Sequence, residues 1–232
     1  MKSEKLIASL ILSLGLIAGG YFIGNGIIKF KYNERTVAVK GLAERDVKSD
    51  KAIWNLRYIN NSDSLPQLYS SIVESQEKIK KFMLSKGFAI EELELPPAVI
   101  TDNQNNTYAQ TNAQAKRYVA DCGVIVTTNK IDKTKQAAQE TLGLIEAGIV
   151  ISSSYINYEY TKLNDIKSEI LDEATANAKK TAMSFARNSN NTLGKIKSAS
   201  QGQVTIQDAA SSGELSVNKT VRIVTSVTYL LD

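Results

Sequence analysis

The strongest hydrophobic pattern lies at the start of the chain, where Leu6 to Ile28 contain no charged residue. As an α-helix with a rise of about 1.5 Å per residue, this segment would be roughly 35 Å long, enough to cross a hydrocarbon core of about 30 Å. It exceeds the roughly 7–15 apolar residues typical of a cleaved signal peptide, and no A-x-A cleavage site follows it. The pattern therefore predicts an uncleaved transmembrane signal anchor at residues 6–28, with a cleaved signal peptide as the alternative.

The charges that flank this segment encode its orientation only weakly. Two lysines precede it, and Lys29, Lys31 and Arg35 follow it, so the positive-inside rule does not decide between the two orientations. A short N-terminal tail crosses a membrane less readily than it stays. We therefore expect residues 1–5 to be a cytoplasmic tail and residues 33–232 to form a domain outside the cytoplasm, in a single-pass protein of the cytoplasmic membrane.

After the anchor, alternation of apolar and polar positions predicts a series of β-strands. The predicted strands cover residues 35–42, 46–60, about 98–102, 117–129, 149–161, 195–207 and 217–231. The segment Gly41 to Arg45 between the first two strands has the composition of a turn, which indicates a hairpin. Strand 149–161 is rich in tyrosine and β-branched residues and is the predicted interface strand if the protein assembles.

Helical periodicity predicts two helices between these strands. The first is capped by Ser64 and stopped by Gly87, and the second is capped by Asp132 and stopped by Gly148. The apolar face of the first helix is Leu68, Ile72, Ile79, Phe82 and Met83, and that of the second is Ala137, Ala138, Leu142 and Ile145.

The third helix has the clearest pattern. It is predicted to run from a cap at Asn164 to about Asn188, with an inward row at every fourth position that Leu171 and Phe185 complete. The row is Ile166, Ile170, Ala174, Ala178, Ala182 and Ala186. Because alanine side chains are small, this helix can lie close to a sheet. Hairpins mixed with helices predict an α+β fold: an N-terminal transmembrane helix, then a largely antiparallel sheet packed by three main helices.

Composition excludes several classes of site. The formal net charge is +4 and the basic residues are scattered, without the basic stripe that a nucleic-acid surface requires. The chain has no histidine and one cysteine, so a zinc site is not expected. We expect no metal, no cofactor and no nucleic-acid partner.

The cysteine and the tyrosines each allow two interpretations. Cys122 falls on the inward face of a predicted strand, where it would be a buried small apolar residue; a redox-active or intermolecular thiol is the alternative. Tyr158 and Tyr160 share a strand face and Tyr155 points to the other. These tyrosines belong to a core or an interface, or else they form a platform for a ligand.

Two segments, VAVKGLAERDVKSDKAIW (Val37 to Trp54) and LDEATANAKKTAMSFARNSNNTLGKI (Leu171 to Ile196), resemble the signature regions of the SIMPL-domain family. This is a family of bacterial cell-envelope proteins with a domain of unknown function, and it includes a periplasmic immunogenic protein. The second segment matches the family pattern at Ala174, Asn177, Ala178, Lys180, Ala182, Ala186, Leu193 and Gly194. In the first segment this chain has Ser49-Asp50 where the family often has Pro-Asp, a difference that concerns the local turn.

The resemblance covers nearly the whole chain after the anchor. It implies an extracytoplasmic α+β domain that self-associates as a homo-oligomer, with a loose link to envelope or oxidative-stress tolerance. It supplies no catalytic mechanism, because the family has none agreed.

The motif residues have structural interpretations of their own. Gly41 and Gly194 are interpreted as turn glycines. Asn177, at the edge of the buried face of the third helix, is expected to bond the backbone or a neighbouring side chain, with ligand contact as the alternative. Glu173 and Lys180 lie on the same edge and are expected to form a solvated ion-pair face.

Catalytic groups are not evident. There is no histidine to act as a base and no G-x-S-x-G nucleophile elbow, and the adjacent Glu91 and Glu92 would point to opposite faces of a strand. A Ser–Lys dyad stays open. We therefore expect a non-enzymatic protein that assembles and supports the envelope; the alternative is a binding module for a small molecule, a lipid or an envelope partner.

Overall fold

The structure, a computed structural model, describes residues 12–26, 35–104, 116–209 and 216–232. Helix α1 covers residues 12–26, and the others are α2 Leu65–Ser85, α3 Ile131–Gln139, α4 Leu142–Glu146 and α5 Leu163–Asn188, with a short 3-10 helix at Ile90–Glu92. The strands are β1 Thr36–Lys48, β2 Lys51–Ser62, β3 Leu93–Glu94, β4 Val99–Asp102, β5 Tyr118–Thr128, β6 Val150–Glu159, β7 Leu193–Gln201, β8 Thr205–Asp208 and β9 Asn218–Leu231.

The α+β prediction is confirmed, and the described strands form antiparallel sheets. They are divided between two sheets, rather than the one that the sequence predicted. One has the order β1-β9-β7 with β8 also paired to β9, and the other has the order β3-β5-β2-β6 with β4 also paired to β5. The predicted strand 195–207 is interrupted near Gly202 and appears as β7 and β8.

The predicted hairpin between the first two strands is wrong. Strand β1 continues through Gly41 to Lys48, and only Ser49 and Asp50 separate it from β2. The two strands then join different sheets, since β1 pairs with β9 whereas β2 pairs with β5 and β6. The residues that looked like a turn are therefore strand residues whose partners lie far away in the sequence.

The chain divides into two compact units. The first contains the described parts of Met1–Glu44 together with Lys167–Thr205 and Arg222–Asp232. In it, the backbone N–H of Leu231 donates to the carbonyl oxygen of Arg35 at 2.9 Å. Helix α5 covers this sheet, with buried alanines packed against strand side chains. The cluster comprises Val39, Ala178, Ala182, Val227 and Tyr229.

The third predicted helix is confirmed as α5, and its alanine row is buried. The helix already begins at Leu163, however, so Asn164 lies inside it rather than at its cap. Ile170, Ala174 and Ala178 are fully buried, and Ala182 and Ala186 continue the row. Phe185, however, was expected to complete this face and is instead 57% exposed. The row of small side chains already fills the narrow contact with the sheet, so the large ring one position before Ala186 faces away.

The second unit contains Arg45–Ile166 and Ile206–Val221. Its central strand β2 pairs with β5 on one side and with β6 (Val150–Glu159) on the other. Trp54, Leu56 and Tyr58 project from β2 into the main core and are fully buried. Cys122, on β5, lies in the same core and is 2% exposed, which confirms the interpretation as a buried residue.

Helix α2 confirms the first helical prediction. Ser64 occupies its N-cap position, but the Ser64 side chain makes no capping hydrogen bond. Gly87 follows the end of the helix with a φ of +84°, in the left-handed region that favours glycine. The buried positions include Leu68, Ile72, Ile79 and Met83, as the periodicity indicates, and Phe82 is partly buried.

The second helical prediction is correct in place but wrong in detail. The N-cap is Lys130 rather than Asp132, which lies in the first turn. The helix is also broken into α3 and α4, and the Thr141 hydroxyl at the break donates to the Ala138 carbonyl oxygen at 2.9 Å. Because α4 does not continue the helical periodicity of α3, a different set of its side chains faces the core. Leu142 and Ile145 are exposed, and Leu144 is buried instead.

The predicted anchor at residues 6–28 falls only partly within the described residues, where 12–26 are helical. Among the residues that the structure describes, no helix is both long enough and apolar enough to span a membrane. The remainder of the anchor, the predicted tail at residues 1–5 and the start of the domain at residues 33–34 lie outside the described residues.

Candidate functional site

The signature glycine Gly41 lies where β1 passes closest to helix α5. A Cβ atom built on Gly41 would overlap the carbonyl oxygen of Ala174 and would lie 2.6 Å from the nitrogen and 2.8 Å from the Cβ of Ala178. The turn interpretation of Gly41 is therefore wrong. Glycine is required here because the helix backbone occupies the space of a side chain.

Asn177 extends the same contact by one hydrogen bond. Its Nδ2 donates to the carbonyl oxygen of Leu42 at 2.9 Å, which ties α5 to β1 next to Gly41. This confirms the structural interpretation of Asn177. Together with Ala174, Ala178 and Ala182, these signature residues form a helix–strand contact.

The remaining residues of the second signature lie apart from that contact. Gly194 is in β7 rather than in a turn, and a Cβ there would lie 2.9 Å from a carboxylate oxygen of Asp232 and 3.1 Å from the Leu230 carbonyl oxygen. Lys180 is exposed on α5, beside Thr181, Ser184 and Phe185 in a shallow depression. Gly194 is therefore a packing residue of the sheet, and Lys180 belongs to the solvated face of the helix.

Residues 48–50 of the first signature line a cleft in the second unit, with a volume of about 630 Å³. It is bounded by the connection Ser49-Asp50, by the segment from Asn129 into the first turn of α3, and by Thr161 and Lys162 after β6. We refer to it as the Ser49 cleft. Its volume is in the range of sites that hold small organic molecules.

Asp50 fixes one side of the Ser49 cleft. Its carboxylate accepts hydrogen bonds from the backbone N–H of Thr161 at 2.8 Å and from the Thr161 hydroxyl at 2.9 Å. Its own N–H donates to the Glu159 carbonyl oxygen at 3.0 Å. Burial acts to raise the pKa of Asp50, but the hydrogen bonds from Thr161 outweigh it and hold that pKa below its ordinary value. The signature aspartate thus joins β2 to the end of β6.

Ser49 lies beside Asp50 and is only 4% exposed. Its backbone N–H donates to the Val217 carbonyl oxygen at 2.8 Å, a bond that a proline at this position could not make. Its hydroxyl is buried and has no hydrogen-bond partner among the described residues. The departure of this chain from the family pattern therefore gives a residue that lines the cleft a buried hydroxyl without a partner.

Positive charge predominates around the Ser49 cleft, with four lysines and two aspartates in its lining. Lys130 is held by a carboxylate oxygen of Glu92 at 2.7 Å and by the carbonyl oxygen of Gly87 at 3.0 Å. Lys48 lies 3.6 Å from the carboxylate of Asp132, and both side chains are exposed. These distances leave Lys48 only weakly engaged, since exposed ion pairs contribute little.

The described residues contain no group of three or more histidine, cysteine or carboxylate side chains that could hold a metal ion. Burial raises the pKa of the Cys122 thiol, which keeps it protonated and makes it a weak nucleophile. Tyr158 is buried in a small cluster with Ala52 and Ile131, whereas Tyr155 is 52% exposed on β6.

The sequence indicated the importance of Asp50 but not the Ser49 cleft. The cleft joins three segments that lie far apart in the chain, and Asp50 and Thr161 are 111 positions apart. The one sequence signal that pointed to it was the serine at a position where the family pattern often has proline.

These features define a class: an α+β protein with two antiparallel sheets, a close helix–strand contact built on small residues, and a lysine-lined cleft. The family model for SIMPL, a protein of unknown function (DUF541), matches residues 37–229. The chain therefore belongs to the SIMPL family, as the two signature segments indicated. No curated protein matches the sequence.

Proposed function

We propose that this chain is a non-enzymatic, membrane-anchored SIMPL protein that assembles with copies of itself outside the cytoplasm. In this proposal residues 6–28 are the signal anchor and residues 33–232 the extracytoplasmic part. The role in envelope integrity or oxidative-stress tolerance comes from the family resemblance. The observation that carries the assembly proposal is the outer edge of strand β6.

The outer strands of the two sheets differ in how they are protected. Natural proteins guard open sheet edges with lysine, proline or very short strands. Strand β1 carries Lys40 and Lys48, and β7 carries Lys195 and Lys197. Strands β3 and β4 are short, with two and four residues. Each of these outer strands therefore has a feature that discourages pairing with another chain.

Strand β6 lacks these features over most of its length. It has ten residues with no lysine, arginine or proline, and no described strand pairs with its outer edge. Val150 and Tyr155 are 62% and 52% exposed. One irregularity in the pairing with β2 falls between Ile151 and Ser153. An antiparallel β6–β6 pair centred near Tyr155 would satisfy the outer backbone groups and bury these side chains.

We expect a Tyr155→Lys variant to assemble more weakly than the wild type. The substitution removes an aromatic cross-strand contact and places like charges opposite each other, a combined effect of about 1–2 kcal/mol. The subunit dissociation constant should rise roughly 5- to 30-fold. The measurement is the solution mass of the full chain in detergent, by light scattering over a range of concentrations.

Tyr69→Lys is the matched control, because Tyr69 is 70% exposed on α2 and outside the proposed interface. It should leave the mass distribution unchanged. A wild-type chain that stays monomeric at every concentration would contradict assembly, and equal effects of the two substitutions would contradict β6 as the interface.

The anchor is tested separately. We expect the full chain to stay with the membrane fraction after an alkaline carbonate wash, and a variant that lacks residues 2–28 to leave it, because the apolar segment is the proposed attachment. Protease added outside the membrane should digest the domain. A mature chain whose mass shows removal of the segment would instead support the cleaved signal peptide.

A second candidate function is a binding module, and the Ser49 cleft is the observation that favours it. The cleft combines a buried hydroxyl without a partner, an excess of lysine and the start of a helix. Binding at this cleft does not depend on assembly through β6, so the two proposals can fail independently.

A further inference from the structure

We propose that the Ser49 cleft binds a phosphate group, carried either by a small soluble ester or by a lipid headgroup. This inference rests on the second proposed function, the binding module, and names the chemistry of its ligand. It does not depend on assembly.

The charge of the lining fits a phosphate group. Four lysines and two aspartates line it, and one of the lysines, Lys130, already pairs with Glu92, so a modest excess of positive charge is left for a phosphate group. Lys162 forms no salt bridge within 4 Å among the described residues, although its charge contributes to the lowered pKa of Asp50. Lys48 has only its exposed contact with Asp132, at 3.6 Å. Both ammonium groups can therefore turn toward an anion without breaking a buried interaction.

The start of helix α3 supplies backbone donors on another side of the cleft. The helical hydrogen-bond ladder begins with Thr134 N–H donating to the Lys130 carbonyl oxygen at 2.9 Å. The N–H groups of Asp132 and Lys133 precede that bond and have no acceptor within the helix. Free N–H groups and the positive end of the helix dipole favour an oxyanion at this position.

Ser49 provides the independent observation. A buried hydroxyl without a partner costs stability, so the position is unfavourable in the protein alone. An oxygen atom bound against the cleft lining would accept a hydrogen bond from this hydroxyl. The proposal therefore makes opposite predictions for two properties of one variant: Ser49→Ala should bind phosphate more weakly, yet its melting temperature without ligand should be equal to or above that of the wild type.

Each of the two carboxylates in the lining of the cleft already has a partner. Asp50 is already committed to the N–H and hydroxyl of Thr161. The Asp132 side chain is 89% exposed at the rim, where it contacts Lys48. An anion bound between Lys48 and Lys162 would take over Lys48 and leave Asp132 to the solvent.

The experiment uses the full chain in nanodiscs of phosphatidylcholine, titrated with inorganic phosphate and with glycerol phosphate at constant ionic strength. We expect saturable binding by calorimetry. Lys162→Gln should weaken it roughly tenfold, because a hydrogen bond to a charged group is lost, and Ser49→Ala should weaken it several-fold. Lys81→Gln, an exposed lysine of α2 away from the cleft, is the control and should leave binding unchanged.

A second arm identifies the source of the phosphate. If the natural ligand is a headgroup, nanodiscs with phosphatidylglycerol should raise the melting temperature, and Lys162→Gln should reduce that increase. Binding in either arm that depends on Lys162 and Ser49 supports the proposal. Absence of binding in both arms, or binding that none of the cleft substitutions changes, overturns it.

The oligomeric state of each variant is measured in the same samples. Lys162→Gln should bind phosphate roughly tenfold more weakly and keep its assembly. Tyr155→Lys should keep its phosphate binding and assemble more weakly. A failure of the phosphate proposal is thereby separated from a failure of the assembly proposal.

Discussion

Replacement of Gly41 by alanine is expected to lower the free energy of unfolding by about 3 kcal/mol or more. The added Cβ would meet backbone atoms of α5, including the nitrogen of Ala178 at 2.6 Å, and backbone cannot rotate away as a flexible side chain can. Overpacking of a well-packed contact typically costs about 1–3 kcal/mol, and here the helix as a whole must move. Urea denaturation of the two proteins, compared at equal slope, measures the difference.

Gly143→Ala is the matched control for this substitution. Gly143 lies in α4, and no atom within 4 Å would meet the added Cβ. Alanine should therefore be neutral or stabilising there, by up to about 1 kcal/mol. If Gly41→Ala unfolds at the same urea concentration as the wild type, the close approach of α5 to β1 is wrong.

Removal of Asp208 is expected to have the second largest effect. The Lys219 side chain is only 8% exposed, and its ammonium group pairs with the Asp208 carboxylate, whose pKa the hydrogen bond from Lys219 lowers. Asp208→Ala would leave a buried ammonium without a counter-charge, which costs about 3–5 kcal/mol in a closed site. Because the Asp208 side chain is 32% exposed, we expect about 2–3 kcal/mol.

A double-mutant cycle distinguishes the interaction between Asp208 and Lys219 from the cost of leaving the Lys219 charge unpaired. Lys219→Met removes the charge and keeps an apolar stem, so it should cost less than Asp208→Ala, about 1 kcal/mol. The double variant should be close to Lys219→Met alone, with a coupling of at least about 1 kcal/mol. Additive effects in the cycle would show that the ion pair does not determine the loss.

The alanine row of α5 shows what periodicity predicts well. A long helix with one apolar face has little choice of orientation, because any other face would bury charged side chains. Ile170, Ala174 and Ala178 are buried as expected. Helix α2 behaves in the same way, since its cap, its apolar face and its stop signal agree with one another.

Two residues, a glycine and an aspartate, were assigned the wrong structural role from the sequence. Gly41 looked like a turn residue, but it is a strand residue against which another backbone packs. Asp132 looked like a cap, but the helix begins one residue earlier, at Ile131. At Gly41 the cause is a helix backbone that is distant in the sequence, whereas at Asp132 only the first residue of the helix differs from the prediction.

For the Ser49 cleft, the sequence identified individual residues but not their arrangement in space. The sequence identified Asp50 as a signature residue and Ser49 as a departure from the pattern. It contained no indication that Thr161 binds Asp50 across 111 positions, nor that the start of α3 lies at the same cleft. Charge and hydrogen-bonding capacity can be read from residue types, but a site also requires distances.

The sequence by itself determined the family, the α+β class, the positions of the main helices and the buried faces of α2 and α5. These depend on local periodicity and on residue types that recur at set spacings. Only the tertiary structure decided the division of the strands between two sheets, the close contact at Gly41, the Ser49 cleft and the outer edge of β6, with which no described strand pairs. Strand pairing joins distant segments through backbone groups that every residue shares, so the side-chain sequence constrains the choice of partner only weakly.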